Sequence, residues 1–315
     1  MAAIISTIDQ LRKTVKINSS IPWESLEPFL QSARDLFLVR YLGTELIEVL
    51  ESEEVPERAT KLLSLIQSAL GPLAIWIGAP ELSVRFSDNG FTVPKQDGAT
   101  GFTPASDAKI GKVEESLERR GFQYLDQVLE YLEMNAADFS EWTSSRFYTL
   151  RGGNYIQSAT QFQEIGLVDI DYSRLTFESF RPVMSMIELR FVTELLGDVL
   201  DASLRTKLND TQTDTEKALI AAVRRFVACK TAELHTSQAS KTNRTGSGTP
   251  EYKPLIRPIY SDIQNEGNYF AEQAVFYYSK VQQLLAANAD ALGIAVPVTA
   301  MDFNSVDMCI FNAEG

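Results

Sequence analysis

The chain has 315 residues, a length too great for one comfortable core, and 44% hydrophobic with 23% charged residues is the balance of a globular protein rather than a disordered one. A formal net charge of −13 makes general nucleic-acid binding unfavourable, so any DNA contact has to be local. Cys229 and Cys309 stand without a CxxC spacing, which argues against a disulfide or metal framework.

The opening "MAAIISTIDQLRKTVK" has neither a basic start nor a continuous apolar run, so the expectation is synthesis in the cytoplasm without an export signal. The stretch around "LGPLAIWIGAPEL" is apolar but interrupted by two glycines and two prolines, and reads as too short to cross a bilayer. After a short first helix comes "EPFLQSARDLFLVRYLGTEL" from Glu27. Leu26, Phe29, Leu30, Ala33, Phe37 and Tyr41 recur at helical spacing and predict one buried stripe. Pro28 reads as a helix opener, and Gly43 as a left-handed stop.

A further helix is predicted around residues 60–79. In "ELSVRFSDNGFTV", Leu82, Val84 and Phe86 alternate with polar residues, Asn89-Gly90 supplies a tight turn, and Phe91 and Val93 return. That pattern predicts a β-hairpin. "YLDQVLEYLEMNA" from Tyr124 then predicts another long helix.

The same order then begins again. "IQSATQF" from Ile156 resembles "ISTIDQL" from Ile5, and "RPVMSMIELRFVTELLGDVL" from Arg181 repeats the earlier long helix 154 positions on. The stripe becomes Phe180, Val183, Met184, Ile187, Phe191 and Leu195, with Pro182 and Gly197 in the places of Pro28 and Gly43. Leu219, Ile220 and Ala228 keep that offset against Leu65, Ile66 and Ala74, and "YYSKVQQLLAANA" from Tyr277 lies 153 positions beyond Tyr124. We therefore read a mainly α protein, a tandem duplication of a helical unit of about 150 residues. The first unit is 1–152 and the second 153–315, with the hairpin confined to the first and short strands expected in the C-terminal "IAVPV…MCIF".

The copies diverge most where the second has "HTSQASKTNRTGSGTPEYKPLIRP", a polar loop with no apolar period. Lys241, Arg244, Lys253 and Arg257 give it local positive charge, and it is the candidate contact for DNA or a neighbouring subunit. Tyr269, Phe270, Phe276 and Tyr277 form an aromatic stretch that is the candidate interface. Arg119-Arg120 and Arg224-Arg225 read as surface pairs, and "DID" at Asp169 as a turn ahead of a helix.

Enzyme chemistry finds no foothold. The one histidine, His235, reads as a solvated or capping residue at a helix end. There is no GxSxG, no GxxxxGK[ST] and no GxGxxG after a strand. The expectation is no catalytic, cofactor-binding or metal site.

"ISTIDQLRK…WESLEPFLQSARDLFLVRYLGTEL" followed by "NYIQSATQFQEI…DYSRLTFESFRPVM" resembles a family of uncharacterised proteins carried by phages and prophages of Bacteroidota. Each half, with its long helix, "LG" stop and small-residue-rich following helix, also resembles the head–tail connector (head-completion adaptor) proteins of tailed double-stranded DNA phages. The resemblance implies a structural protein of the virion, at the head–tail junction. It implies a homo-oligomeric ring of about twelve copies between portal and tail or neck proteins, with double-stranded DNA passing through without sequence-specific binding. An acidic lumen suits that passage, because phosphate contacts would retard it. The other function compatible with the sequence is a cytoplasmic prophage-encoded scaffold or protein-interaction module.

Overall fold

The computed structural model describes residues 3–17, 21–82, 85–87, 90–92, 107–149, 153–239, 257–258 and 266–294. The chain is mainly α-helical and divides into two compact units between residues 150 and 151, two positions before the boundary expected from sequence.

In unit 1, α1 (Ile8–Thr14) is opened by Thr7, whose hydroxyl accepts the Gln10 N–H. The Gln10 side chain reaches back to the Ser6 N–H at 2.8 Å, so two orphan donors are satisfied reciprocally. The long helix has three parts: α2 (Glu27–Ala33), a π-helical segment (Arg34–Val39) and α3 (Arg40–Leu42). A π turn holds one residue more than an α turn, so the buried stripe widens to take both Phe37 and Leu38. Gly43 (φ 85°, ψ 158°) then turns the chain directly into α4 (Thr44–Leu50). Its φ is positive but its ψ is extended, so it is a corner rather than the left-handed stop expected.

Helix α5 (Thr60–Leu82) carries Leu62, Ile66, Leu70 and Leu73 into the core of unit 1. Although its sequence reads as too short for a bilayer, the span Glu57–Leu82 is long and apolar enough to cross one; half of the apolar window is buried within the protein. Strands β1 (Arg85–Ser87) and β2 (Gly90–Thr92) form the antiparallel hairpin, with Phe86 opposite Phe91. Helix α6 (Asp107–Met134) packs along α5, and Gly121 permits the approach: a Cβ there would lie 2.6 Å from Leu73. Two short helices, α7 (Ser140–Thr143) and α8 (Arg146–Thr149), close the unit. Trp142 is buried and its indole N–H donates to the Tyr41 carbonyl at 3.3 Å.

Unit 2 is also mainly helical. Helix α9 (Ala159–Glu164) is capped by Ser158, and Gln161 reaches back to the Gln157 N–H at 2.9 Å. Strand β3 (Val168–Asp169) precedes α10 (Arg174–Ile187), a π-helical segment (Glu188–Val192) and α11 (Thr193–Leu196). Gly197 (φ 76°, ψ 150°) makes the corner into α12 (Asp198–Thr206). Helix α13 (Asp214–Ala239) packs with α14 (Glu266–Ala287), and α15 (Ala289–Leu292) follows. Between them lies β4 (Arg257–Pro258), paired antiparallel with β3.

Three local expectations are corrected. Pro182 does not open its helix: α10 starts eight residues earlier, because the Ser173 hydroxyl accepts the Thr176 N–H and sets the cap there. The second-unit loop is shorter than its polar composition suggests, since α13 continues to Ala239 and Arg257–Pro258 form a strand. His235 is not at a helix end. It is half-buried inside α13, its ring edge-on to Phe180 at 5.1 Å, and burial lowers its pKa. The strands expected in the C-terminal tail lie outside the described residues.

Candidate functional site

In each unit a part-buried ion pair ties the first residue of the π-helical segment to the helix beyond the glycine corner. In unit 1, Arg34 grips Glu51 with both forks, Nε to Oε1 at 2.6 Å and Nη2 to Oε2 at 2.7 Å. Its remaining Nη1 donates to Asp35 at 2.6 Å. The hydrogen bond to Glu51 raises the pKa of Arg34 further above its ordinary value, so the guanidinium stays charged under all folding conditions.

The positions 154 residues later hold Glu188 and Arg205, and there too the two pair: Arg205 Nη1 donates to Glu188 Oε2 at 2.9 Å. Here the acid comes first in the chain and the base second, the reverse of Arg34 and Glu51. Unit 2 then elaborates the clasp. Arg205 Nε donates to both oxygens of Asp201 at 3.1 Å, Nη1 also donates to the Gly153 carbonyl, and the guanidinium lies 4.7 Å from the centroid of the Tyr155 ring. The Tyr155 hydroxyl donates to Asp201 Oδ1 at 2.6 Å, and its backbone N–H to Glu188 Oε1 at 2.9 Å. Thr193 donates to Asp201 Oδ2 at 2.8 Å.

Two buried carboxylates therefore share one guanidinium. Burial pushes the Glu188 carboxyl up to about 7 despite Arg205, and burial raises the Tyr155 phenol as well. In unit 1 a cavity of about 130 Å³, lined by Ile4, Trp23, Leu30, Arg34, Glu51 and Leu70, opens beside the clasp. The second unit has Asn154 and Tyr155 in the positions of Ala3 and Ile4, and Asn154 Oδ1 accepts the Ser185 hydroxyl at 3.1 Å.

These groups brace helices. Every clasp carboxylate is engaged by a cation or a hydroxyl. Among the described residues no group of three His, Cys, Asp or Glu is placed to hold a metal ion. Cys229 is buried in the core and burial pushes its thiol up to about 12, which keeps it protonated and inert.

The sequence-predicted contact residues separate. Lys241, Arg244 and Lys253 lie outside the described residues, and of Arg257 only the backbone is described, paired with Asp169. Among the aromatics, Phe270 is wholly buried in the unit 2 core, which removes it from any interface. Tyr269 packs on Phe270 at 5.5 Å, and Tyr277 lies under Arg225 at 5.8 Å. Phe276 alone of the four is open to solvent, 59% exposed. Arg224 is not a surface residue: its Nε donates to the Tyr155 carbonyl at 2.8 Å. Nothing in the sequence pattern signalled the clasps, because an exchanged pair looks like two mismatches.

Residues 38–152 match a family of unknown function (DUF6712). That match lies in the first half of the chain. No curated protein and no solved structure matches the chain.

Proposed function

We propose that the two units are diverged copies of one helical module and that the chain is a structural protein of a phage particle, a head–tail connector. The observation that carries this reading is the exchanged clasp. The same pair of positions, 154 residues apart in each case, holds an acid–base pair of opposite polarity at the same break in the same helix. A protein built from two variants of one module has two distinct faces to offer, which is what a heterologous, ring-closing contact requires.

Further support comes from the resemblance of each half to connector proteins and from the acidity of the whole chain. An acidic channel wall lets a polyanion pass without being held. In this reading the chain contributes shape and charge to the neck of the particle, and neighbouring portal and tail proteins contact its ends.

Mass spectrometry of purified phage particles tests the proposal. The chain is expected among the virion proteins at a constant ratio to the portal protein. Its absence from particles, while it accumulates free in infected cells, would overturn the connector reading.

A further inference from the structure

The segment ahead of the first helix is tied down alike in the two units. The Ser6 N–H donates to the Gln10 side chain at 2.8 Å, and the Gln157 N–H, 151 positions on, to Gln161 at 2.9 Å. Two residues before each, the Ile4 carbonyl accepts Gln67 Nε2 of α5 at 2.7 Å, and the Tyr155 carbonyl accepts Arg224 Nε of α13 at 2.8 Å. Ile4 and Tyr155 are thus held in the same manner and differ in what they fill.

Tyr155 fills its surroundings. It is wholly buried, its ring lies 4.7 Å from the Arg205 guanidinium, and its hydroxyl donates to Asp201. Ile4 is buried too, but it is smaller, and it lines the cavity of about 130 Å³ beside the unit 1 clasp. Trp23, Leu30 and Leu70 give that cavity apolar surface, and Arg34 with Glu51 gives it polar atoms. Ser6 and Gln31, both exposed, also line it, so it is reached from solvent. An apolar cavity of about 150 Å³ can hold a benzene ring, which sets the size of occupant at one ring. A charged ligand is disfavoured, because Arg34 and Glu51 already neutralise each other and either sign would meet its like. A guanidinium stacks on an aromatic face, and a carboxylate that accepts two hydrogen bonds keeps lone pairs for a third.

We infer that the unit 1 cavity is a binding site for a neutral phenol ring, the group that unit 2 supplies to its own clasp from Tyr155. The ring packs on the Arg34 guanidinium and its hydroxyl donates to Glu51. A free phenol and the tyrosyl side chain of another protein both present this group. The choice of ring rests on reading the two units as copies of one module, while the cavity belongs to unit 1 alone.

Methyl NMR of the full chain titrated with p-cresol supplies the test. Saturable shifts are expected at the methyls of Ile4, Leu30 and Leu70, with nuclear Overhauser contacts from the cresol ring to them. Toluene, which lacks the hydroxyl, should bind roughly fivefold more weakly, the worth of one hydrogen bond. Ile4→Tyr, checked for folding by circular dichroism, should weaken p-cresol binding about tenfold or more, because its own ring takes the space. If that variant does not fold, the contacts in the wild type decide. An end-blocked Gly-Tyr-Gly peptide separates the sources: displacement of the cresol assigns the site to a protein's tyrosine, and no displacement to a free phenol. Shifts without saturation, contacts to other methyls only, toluene bound as tightly as p-cresol, or undiminished binding by folded Ile4→Tyr would each overturn the site. If the losses from Arg34→Glu and Glu51→Arg simply add while p-cresol binds, the module reading fails and the site stands. Non-additive losses with no bound p-cresol leave the reverse.

Discussion

Arg34 and Glu51 in unit 1 lie 154 positions before Glu188 and Arg205 in unit 2, and the two clasps differ in more than polarity. Unit 1 has one carboxylate held bidentately by one guanidinium, a geometry that directs both forks of the arginine. Its Glu51 caps the end of α4, where the helix dipole disfavours an anion. Unit 2 puts the cation in the last turn of α12, the favoured end, but gives it two buried carboxylates to satisfy. In both clasps a charge sheltered at a helix break has a partner, while its sign differs. Removing one partner of such a pair strands the other, which is why exchange of both is tolerated where loss of either is not.

Several changes sharpen this comparison, beginning with the largest expected effect. Phe37 and Phe191 hold matched places on the two stripes, packed on Phe122 at 5.4 Å and Phe226 at 6.2 Å respectively. Alanine at either should destabilise its own unit by about 3–5 kcal/mol. The readouts separate cleanly, because Trp23, Trp76 and Trp142 all lie in unit 1. Denaturant unfolding followed by tryptophan fluorescence should shift for Phe37→Ala and stay in place for Phe191→Ala.

The pH response should distinguish the clasps next. The folded-state pKa of Glu188 is raised to about 7 from the usual 4.5, so the protonated form favours folding. Its stabilising contribution is complete below pH 4.5 and is lost as pH rises through 7. Relative to Glu188→Gln, wild type should lose about 2–3 kcal/mol between pH 5 and pH 8, read by hydrogen exchange in α10 and α12. A difference between the two proteins that stays flat over this range would remove the buried-acid account.

At the corners, alanine forces a side chain into a backbone region that glycine alone occupies freely, at about 1–3 kcal/mol. Gly197 has open space around it, whereas a Cβ on Gly43 would lie 2.9 Å from that of Ser145. Gly43→Ala should therefore be the more damaging, by about 1 kcal/mol or more in denaturant midpoints compared at equal slope. The smallest effects belong to the caps. Thr7→Ala and Ser158→Ala should each cost about 1 kcal/mol, and near-equality of the two is itself the check that α1 and α9 begin in the same way.

Much of this was legible in the sequence, for identifiable reasons. The stripes from Leu26 to Tyr41 and from Phe180 to Leu195 carry the helical period in large apolar residues, so the mainly α class could be read directly. Asn89-Gly90 between alternating residues announced the hairpin. Asn135 and Asn288 stand at the matched offset of 153, and each side chain donates to the carbonyl four residues before it, at 2.7 and 2.9 Å. The π-helical segments were hidden, since one extra residue in a turn leaves an apolar stripe almost unchanged. The clasps were hidden for a different reason: residue-by-residue matching rewards likeness, and exchange replaces likeness with compensation. Arg224 and His235 were misplaced because their burial depends on Tyr155 and Phe180, which are distant in sequence.

The exchange itself provides the most direct measurement of whether the two units share one architecture. Arg34→Glu and Glu51→Arg, made singly, should each destabilise unit 1 by about 1–3 kcal/mol, because each leaves two like charges facing at a part-buried site. Made together they give unit 1 the polarity of unit 2. Tryptophan-detected unfolding of the double variant should then fall within about 1 kcal/mol of wild type, a strongly non-additive cycle. A double variant destabilised by the sum of the single losses would contradict the equivalence of the two clasps, and with it the account of the chain as one module in two versions.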